Sequence, residues 1–340
     1  MHSILEQESE SIMGNLHTVR ELYVQYHTDD AEVHALNGID LDMNRGEVVG
    51  LVGETGAGKS TLALSIMKLL PKEYSDIVKG SIQFDDVDVT AANNAEMKEL
   101  RGRRISMIFQ DPMTSLNPTM TIGKQICEVL ELHHPEMNKN EKWKRVDNVL
   151  QLVGIPASRR DDYPHQFSGG MKQRVVIAIA LVCEPELLIA DEPTTALDVT
   201  IQAQILALMS NLKNELNTAM LLITHDLGIV AEFCDKVFVE YCGEIIESGT
   251  VEDIFNRKDN HPYTEGLFKC IVKLNDNTTR LTPIKGYMAN PTCLPEGCKF
   301  ADRCEYCTEI CIKAVPENYM VSDTHGIKCY RFQKGGEWNE

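Results

Sequence analysis

The sequence is short of positive charge. It contains 33 Lys and Arg residues against 51 Asp and Glu, so the formal net charge of the 340-residue chain is -18. Non-specific binding of DNA or RNA draws its affinity from clustered basic side chains, and an acidic chain repels the phosphate backbone. The composition therefore argues against nucleic acid as a partner, while 43% hydrophobic residues suffice for a large core with a smaller appendage.

The sequence also lacks long apolar runs. The longest, VVIAIALVC at 175–183, falls well short of the roughly 20 residues of a membrane-spanning helix. The N-terminal stretch contains neither the basic region nor the apolar region of a secretory signal. We therefore expect a protein that stays inside the cell and reaches any membrane through a partner.

Cysteine is not scarce, but a disulfide framework is not expected in a protein that stays inside the cell. Five of the 11 cysteines stand singly among apolar residues, and we predict small buried side chains for them. These five are Cys127, Cys183, Cys234, Cys242 and Cys270. The other six crowd into the segment from Cys293 to Cys329, which predicts a separate function there.

The apolar pattern predicts strands alternating with helices. GEVVGLV, RRISMIFQ, ELLIA and TAMLLIT are typical of buried strands, and KSTLALSIMKLL and EKWKRVDNVLQLVG of helices. DKVFVEYCGEIIESG predicts a hairpin that turns near Cys242 and Gly243. The fold class is therefore α/β with a mostly parallel sheet, whose ligands bind at the carboxyl ends of the strands.

The segment GETGAGKS, Gly53 to Ser60, matches G-x-x-x-x-G-K-[ST] between a predicted strand and a predicted helix. Glycines let backbone N–H groups close around phosphate oxygens, and the helix N-terminus adds the positive end of its dipole. In such loops the lysine, here Lys59, reaches the β- and γ-phosphates, and the serine hydroxyl binds Mg²⁺. The sequence thus predicts a nucleotide site.

Two adjacent carboxylates follow the apolar run LLIA. An Asp at the end of a buried strand is the expected magnesium partner of a phosphate loop, which assigns that role to Asp191. Glu192 is then available to orient or deprotonate the attacking water. The alternative is that both are ordinary acidic residues at a strand end.

Five motifs occur in the order and spacing of one class of P-loop protein: Gly53–Ser60, FSGGM, LLIADEP, TTALD and ITHD. Together they resemble the ATP-binding-cassette (ABC) ATPases over about residues 18–260. The resemblance implies a P-loop NTPase fold with a mostly parallel sheet, an antiparallel β part and a helical subdomain at about 111–167. Residues 1–17 would form an N-terminal extension.

The resemblance also implies a head-to-tail dimer. ATP would lie between the phosphate loop of one subunit and Ser168, Gly169 and Gly170 of the other. We expect Ser168 to cap a helix, whose N-terminus is a second anion site. The family usually has Leu where this chain has Phe167, a departure that bears on local packing.

Roles of single residues follow from the same resemblance. His225 would contact the γ-phosphate, Gln110 would sense Mg²⁺ and water, and Asp198 would link the two sites of the dimer. Tyr26 would stack on adenine, with Tyr23 as the alternative. The implied catalytic residues are Glu192, His225, Gln110 and Lys59. The implied magnesium contacts are Ser60, Gln110 and Asp191. The implied nucleotide contacts are Tyr26, Gly53, Glu54, Thr55, Gly56, Ala57, Gly58, Lys59, Ser60, Thr61, Ser168, Gly169, Gly170 and Asp198.

Within this class the sequence resembles the ATP-binding subunits of prokaryotic oligopeptide and dipeptide importers. The motifs are QDPMTSLNP, FSGGMKQRVVIAIAL, ADEPTTALDVT, HPYT and the cysteine-rich tail. The resemblance implies two transmembrane permease subunits contacted through residues 111–118, a second related ATPase subunit in a heterodimer or a homodimer, and an external substrate-binding protein. The location would be the cytoplasmic side of the cell membrane.

Three alternatives remain open. ATPases of the same type serve importers of nickel or sugars, and the ATPase does not touch the cargo. A soluble ABC ATPase acting on nucleic acid or ribosomes belongs to a different class, which the acidic composition disfavours. A metal-sensing protein that only binds nucleotide is opposed by the presence of Asp191, Glu192 and His225.

Four thiolates in a loop-rich segment suit either zinc or an iron-sulfur cluster. Zinc ribbons favour paired C-x₂-C knuckles, and only Cys304 and Cys307 form such a pair. The tail also resembles importer ATPases that hold a 4Fe-4S cluster. That resemblance implies four ligands and leaves Cys293 and Cys307 over: the ligands are Cys298, Cys304, Cys311 and Cys329. The predicted organisation adds a linker helix at 261–285 and a cysteine-rich cluster domain at 286–340.

Overall fold

The computed structural model describes residues 15–111, 115–194, 198–256, 259–270 and 283–333. They fall into two compact units. The first unit takes the described parts of 1–17, 43–48 and 84–223, and the second takes 18–42, 49–83 and the described parts of 224–340. The chain therefore passes between the units several times. Residues 1–14 of the predicted extension and 271–282 of the predicted linker helix lie outside the described residues.

The described residues form twelve strands and ten α-helices. The strands are β1 (Asn15–His27), β2 (Glu32–Asn44), β3 (Val48–Val52), β4 (Ser75–Phe84), β5 (Val87–Asp88), β6 (Ile105–Ile108), β7 (Leu187–Asp191), β8 (Ala219–Thr224), β9 (Lys236–Tyr241), β10 (Glu244–Thr250), β11 (Tyr319–Met320) and β12 (Gly326–Ile327). The helices are α1 (Lys59–Ile66), α2 (Asn94–Leu100), α3 (Ile122–His133), α4 (Lys139–Leu152), α5 (Gly169–Leu181), α6 (Val199–Leu216), α7 (Leu227–Phe233), α8 (Val251–Asn256), α9 (Pro262–Lys269) and α10 (Glu309–Lys313). Across the described ranges, no helix has both the length and the apolar character to cross a membrane.

The first unit is built on the parallel strands β6, β7 and β8. Ile105 pairs with Leu187, which pairs with Ala219 on its other side. Strand β7 is buried along its whole length, as expected for a parallel strand covered on both faces. The predicted α/β class is confirmed, and β7 ends at Asp191.

Helices α3 and α4 lie in the region where the sequence predicts a helical insertion. A capping box starts α4, since Asn138 accepts from the N–H of Glu141 and the Glu141 carboxylate accepts from the N–H of Asn138. Both helices pack on each other and on α5. The start of α5 is thereby held by the helical part of the first unit.

The second unit contains the predicted hairpin. Strand β3 pairs in parallel with β9, and β9 turns back into the antiparallel β10. The turn residues Cys242 and Gly243 have φ angles of 49° and 74°. A two-residue turn with both φ angles positive matches the twist of the strands it connects, so the predicted turn is confirmed.

The cysteine-rich tail is part of the same unit. Strand β12 pairs with β10, where Ile327 lies opposite Glu247, and β11 pairs with β12. His325 Nε2 and Glu247 Oε1 are 2.8 Å apart, and both side chains are fully buried. The pattern of apolar residues did not predict this extension of the hairpin, because strands of two residues carry no periodicity.

Candidate nucleotide site

The loop from Gly53 to Gly58 joins β3 to α1 in the second unit. Gly56 and Gly58 have φ angles of 87° and 126°, which side chains with a Cβ rarely adopt. A Cβ at Gly53 would collide with the backbone oxygen of Glu240. The glycines are therefore required by the path of the backbone, as the motif predicts.

Lys59, the first residue of α1, lies across this loop. Its Nζ donates to the backbone oxygens of Gly53 at 2.8 Å and of Glu54 at 2.9 Å. The residue is 6% exposed. The ammonium group is thus held at the concave side of the loop by two carbonyls of the loop itself.

Glu54 is anchored at both its main chain and its side chain. Its N–H donates to the hydroxyl of Tyr263 at 2.8 Å. Its carboxylate accepts from Arg303 in a two-pronged contact, Nη1 to Oε2 at 2.7 Å and Nη2 to Oε1 at 3.1 Å. Tyr263 belongs to α9 and Arg303 to the cysteine-rich tail, so the loop is held by residues more than 200 positions away in sequence.

A buried carboxyl group lies beneath the loop. Glu240 is fully buried, and neither of its carboxylate oxygens has a hydrogen-bond partner. A Cβ at Gly58 would collide with Glu240 Oε1. Burial raises the pKa of Glu240 to about 8, and the nearby charge of Lys59 lowers it in part. The loop and this carboxyl are consequently coupled electrostatically.

Of the two candidate tyrosines for adenine stacking, Tyr26 lies beside the start of α1. Its hydroxyl is 3.3 Å from the hydroxyl of Thr61. Tyr23 instead lies over Gly38, with Lys79 Nζ 5.6 Å from the centre of its ring. This placement favours Tyr26, and the stacking itself stays a prediction.

The first unit carries the acidic pair. Asp191 is the buried last residue of β7. Glu192 has a left-handed φ of 47°, its N–H donates to Ile223 O at 2.9 Å, and its carboxylate accepts from Gln110 Nε2 at 3.2 Å. The structure therefore brings Gln110 and Glu192 together, and their roles in hydrolysis stay predictions.

The segment Ser168–Gly170 begins α5, but the predicted capping bond is absent. Ser168 occupies the N-cap position, and its side chain makes no cap hydrogen bond. Space around Gly169 is open, whereas a Cβ at Gly170 would meet Ile201 Cγ2 at 2.6 Å. Ser168 thus takes the predicted N-cap position, but its hydroxyl does not cap the first turn of the helix.

Asp198 and His225 adjoin helix starts in different units. Asp198 caps α6 in the first unit, where its carboxylate accepts from Ile201 N at 3.0 Å. His225, in the second unit, is exposed between the end of β8 and α7. Ser60 begins α1 together with Lys59. Their roles toward nucleotide stay predictions, and three residues of the TTALD motif, at 195–197, lie outside the described part of the chain.

The cysteines of the tail divide by burial. Cys311 and Cys329 are buried and Cys298 and Cys304 half-buried, whereas Cys293 and Cys307 are exposed. The first four line one narrow cavity together with Phe300 and Pro316. Within the described ranges, no three or more His, Cys, Asp or Glu side chains are arranged to hold a metal ion.

The predictions for the five scattered cysteines hold in part. Cys127, Cys183 and Cys242 are buried and Cys234 is half-buried. Cys270 is exposed, contrary to the prediction, because it follows α9 as its C-cap residue rather than lying on the packed face. Burial raises the pKa of Cys183 and of Cys242 to about 11, which keeps both as neutral, inert thiols.

Sequence reasoning missed several residues that hold the site. Tyr263, Arg303 and Glu240 anchor or underlie the phosphate loop, but none has a local motif. Gln173, buried in α5, donates from Nε2 to Pro193 O at 2.6 Å and fixes the segment after Glu192. One signal was present: a charged residue such as Glu240 inside an apolar strand is rare without a reason.

A glycine loop that closes on a helix start, a lysine held over it and a strand ending in Asp-Glu define a P-loop nucleotide-hydrolysing protein. Two family descriptions match the chain. "ABC transporter" matches residues 36–195, and "Oligopeptide/dipeptide transporter, C-terminal region" matches residues 246–311.

Curated relatives match over nearly the whole chain. The oligopeptide transport ATP-binding protein AppD of Bacillus subtilis is 45% identical, covering 95% of this chain and 99% of the relative. The dipeptide transport ATP-binding protein DppD of the same organism is 47% identical over 94% of this chain and 95% of the relative. The chain belongs to the ABC transporter family and is an ATPase of that family.

Solved structures support the same fold. The ATP-binding cassette MJ0796, in a dimeric post-hydrolysis state with ADP and Pi, is 26% identical with a TM-score of 0.62, covering 69% of this chain and 98% of that one. The cbiO1 protein of Clostridium perfringens, part of the ABC transporter complex cbiONQ, is 33% identical with a TM-score of 0.61 over 72% of this chain and 92% of that one. The predicted ABC ATPase fold is confirmed.

Proposed function

We propose that the chain is the ATP-hydrolysing subunit of an importer of dipeptides or oligopeptides. The observation that carries this is the near full-length similarity to peptide-transport ATP-binding proteins, including the C-terminal region at 246–311 that ABC ATPases in general do not share. The subunit acts at the cytoplasmic face of the membrane. Two permease subunits, a second ATPase subunit and an external binding protein complete the transporter, and we favour a heterodimer of ATPases.

The residues of the site are proposed to act as follows. Lys59 binds the β- and γ-phosphates, and Glu192 orients or deprotonates water with Gln110 beside it at 3.2 Å. Oxygen donors suit Mg²⁺, which Ser60, Gln110 and Asp191 would hold. When bound, Mg²⁺ neutralises charge that develops on the phosphates. The open start of α5 would receive the γ-phosphate of a nucleotide bound to another subunit.

The tail is proposed to hold a 4Fe-4S cluster through Cys298, Cys304, Cys311 and Cys329, with zinc as the alternative. Support comes from the cavity that these four thiols share and from the exposure of Cys293 and Cys307. Burial raises the pKa of Cys298 and Cys329 to about 12, so ligation must displace protons from both thiols.

The transport proposal is tested by purifying the tagged chain from membranes and identifying the proteins that accompany it. We expect two permease subunits and a second, different ATPase. Reconstituted complexes should take up labelled dipeptides and oligopeptides in an ATP-dependent way. Uptake of nickel chelates or sugars without peptides would overturn the cargo, and copurification of RNA or ribosomes without permeases would overturn the transporter itself.

The cluster is tested on anaerobically purified full-length protein. We expect about four irons and four sulfides per chain and the broad visible absorption of a cluster. Replacement of both exposed cysteines, Cys293 and Cys307, by Ser is the matched control and should leave the metal content unchanged. One zinc without sulfide would establish the alternative, and neither metal would overturn both.

A further inference from the structure

The cysteine-rich tail contributes one arginine to the phosphate loop. Arg303 holds the carboxylate of Glu54 through two hydrogen bonds of 2.7 and 3.1 Å. Glu54 is the first variable residue of the G-x-x-x-x-G-K-S motif. A fork-to-fork contact between guanidinium and carboxylate fixes the direction of both groups as well as their separation.

The guanidinium is itself held in place. The Arg303 side chain is 4% exposed, and its Nε donates to Lys285 O at 3.0 Å. Its charge lies 5.8 Å from the ring centres of Tyr241 and of Phe300. A guanidinium with these fixed contacts has little conformational freedom left to lose when it binds the Glu54 carboxylate. Arg303 therefore acts as a rigid anchor rather than a mobile surface charge.

A continuous set of hydrogen bonds runs from this anchor to the phosphate-binding lysine. Arg303 holds the Glu54 carboxylate, Tyr263 accepts the Glu54 N–H at 2.8 Å, and the Glu54 backbone oxygen accepts from Lys59 Nζ at 2.9 Å. The orientation of one residue, Glu54, therefore affects where the lysine ammonium lies. A shift of the tail would be transmitted over two contacts, from Arg303 to Glu54 and from Glu54 to Lys59.

The contact between Arg303 and Glu54 also affects the net charge of the phosphate loop. A Glu54 carboxylate without Arg303 would leave an unpaired negative charge in a loop whose ligand carries several negative charges. Arg303 neutralises that charge through its two hydrogen bonds to the carboxylate. Removal of Arg303 is expected to weaken the binding of a triphosphate more than that of a diphosphate, because the repulsion by the Glu54 carboxylate grows with the charge of the ligand.

We propose that Arg303 is a positioning residue for nucleotide binding, which makes ATP affinity depend on the cysteine-rich tail through Glu54. The inference rests on the proposed nucleotide site. It assigns to the tail a function that does not require any metal to be bound. It also predicts that the tail and the phosphate loop cannot be treated as independent domains.

The test is a double-mutant cycle on the full-length chain with Arg303→Met, Glu54→Gln and both changes together. Dissociation constants for ATP and ADP are measured by calorimetry. We expect Arg303→Met to weaken ATP binding about tenfold and ADP binding less. The double variant should be no weaker than the weaker of the two single variants, because both changes break the same contact. Unchanged ATP affinity in Arg303→Met, or losses that multiply in the double variant, would overturn the inference.

A second arginine provides the matched control. Arg331, also in the tail, pairs with Glu265 of α9 at 3.1 Å, and its side chain is 23% exposed. Arg331→Met should lower the melting temperature without changing ATP affinity, which separates loss of tail packing from loss of loop positioning. A tenfold loss of affinity in this control would reduce Arg303 to a structural role.

Two further results keep the outcomes distinct. If Arg303→Met does not fold by circular dichroism, Arg303→Lys decides, because lysine keeps the charge but not the two-pronged geometry. It should bind ATP several-fold more weakly than the wild type, and wild-type affinity would overturn the inference. Failure of the wild type to bind ATP would instead overturn the proposed nucleotide site.

Discussion

The phosphate loop of the second unit and the acidic strand end of the first unit are held in different ways. Glu192 is held by two residues of its own sheet. Its N–H donates to the backbone oxygen of Ile223 on the adjacent strand β8, and its carboxylate accepts from Gln110, which follows β6. The loop at Glu54 is fixed by Tyr263 and Arg303, which come from a helix and a tail far along the chain. The first site is held by its own sheet and by Gln173 of α5, whereas the second is held by a helix and a tail that follow it far along the chain.

The two regions are therefore expected to affect different properties, ATP hydrolysis in one case and nucleotide affinity in the other. The groups at the strand end are proposed to act on water, and their supports belong to the geometry of neighbouring parallel strands. Supports of the loop instead come from the C-terminal region, where this chain matches the peptide-transporter description at 246–311. We therefore expect changes in the first unit to alter hydrolysis and changes in the C-terminal region to alter nucleotide affinity and stability.

The largest expected effect is that of Glu192→Gln. Loss of the group that activates water should lower ATP hydrolysis about 100- to 10,000-fold. ATP affinity should persist, because the phosphate loop is untouched. Phosphate release and calorimetric binding measure the two quantities, with the exposed Glu215→Gln of α6 as control. Loss of binding together with hydrolysis would break the comparison between the two regions.

The next effect concerns pH and the carboxyl beneath the loop. The pKa of Glu240 is raised by burial from its ordinary value of 4.5 to about 8. Between these values the folded chain retains a proton that the unfolded chain releases, so stability falls as pH rises through that window. Glu240→Gln should remove this fall and stabilise the protein at pH 8 on the order of 4 kcal/mol.

Urea denaturation at pH 5 and pH 8 measures this effect. The advantage of Glu240→Gln should be small at pH 5 and largest at pH 8. The exposed Glu296→Gln controls for the change of carboxylate to amide. Equal advantage at both pH values would show that the carboxyl does not carry the proton.

The smallest expected effects come from removing single hydrogen bonds, first with Tyr263→Phe. The change leaves the Glu54 N–H without its acceptor, which should lower the free energy of unfolding by about 1 to 2 kcal/mol. Gln110→Ala, which removes an exposed hydrogen bond in the first unit, should cost less than about 0.5 kcal/mol. Tyr287→Phe, at a residue that is 96% exposed, is the control. Equal costs at 263 and 110 would remove the contrast between long-range and local support.

Much of the fold and part of the site could be predicted. Strands β3, β7 and β8 are continuous apolar runs, and the turn at Cys242 and Gly243 follows from turn chemistry. The N-cap position of Ser168 was predicted correctly, but its capping bond is absent, because the direction of a hydroxyl depends on its surroundings as well as on the residue type. The pairing of β12 with β10 could not be predicted, because a strand of two residues has no periodic pattern of apolar side chains.

The sequence by itself determined the class of the protein, because a phosphate loop is a local object. Glycines, lysine and serine within eight positions set the backbone path between one strand and one helix, and no distant residue is needed to recognise it. Only the tertiary structure decided what holds that loop. Arg303 and Tyr263 are 249 and 209 positions from Glu54, and contacts between residues so far apart leave no periodic pattern in the sequence.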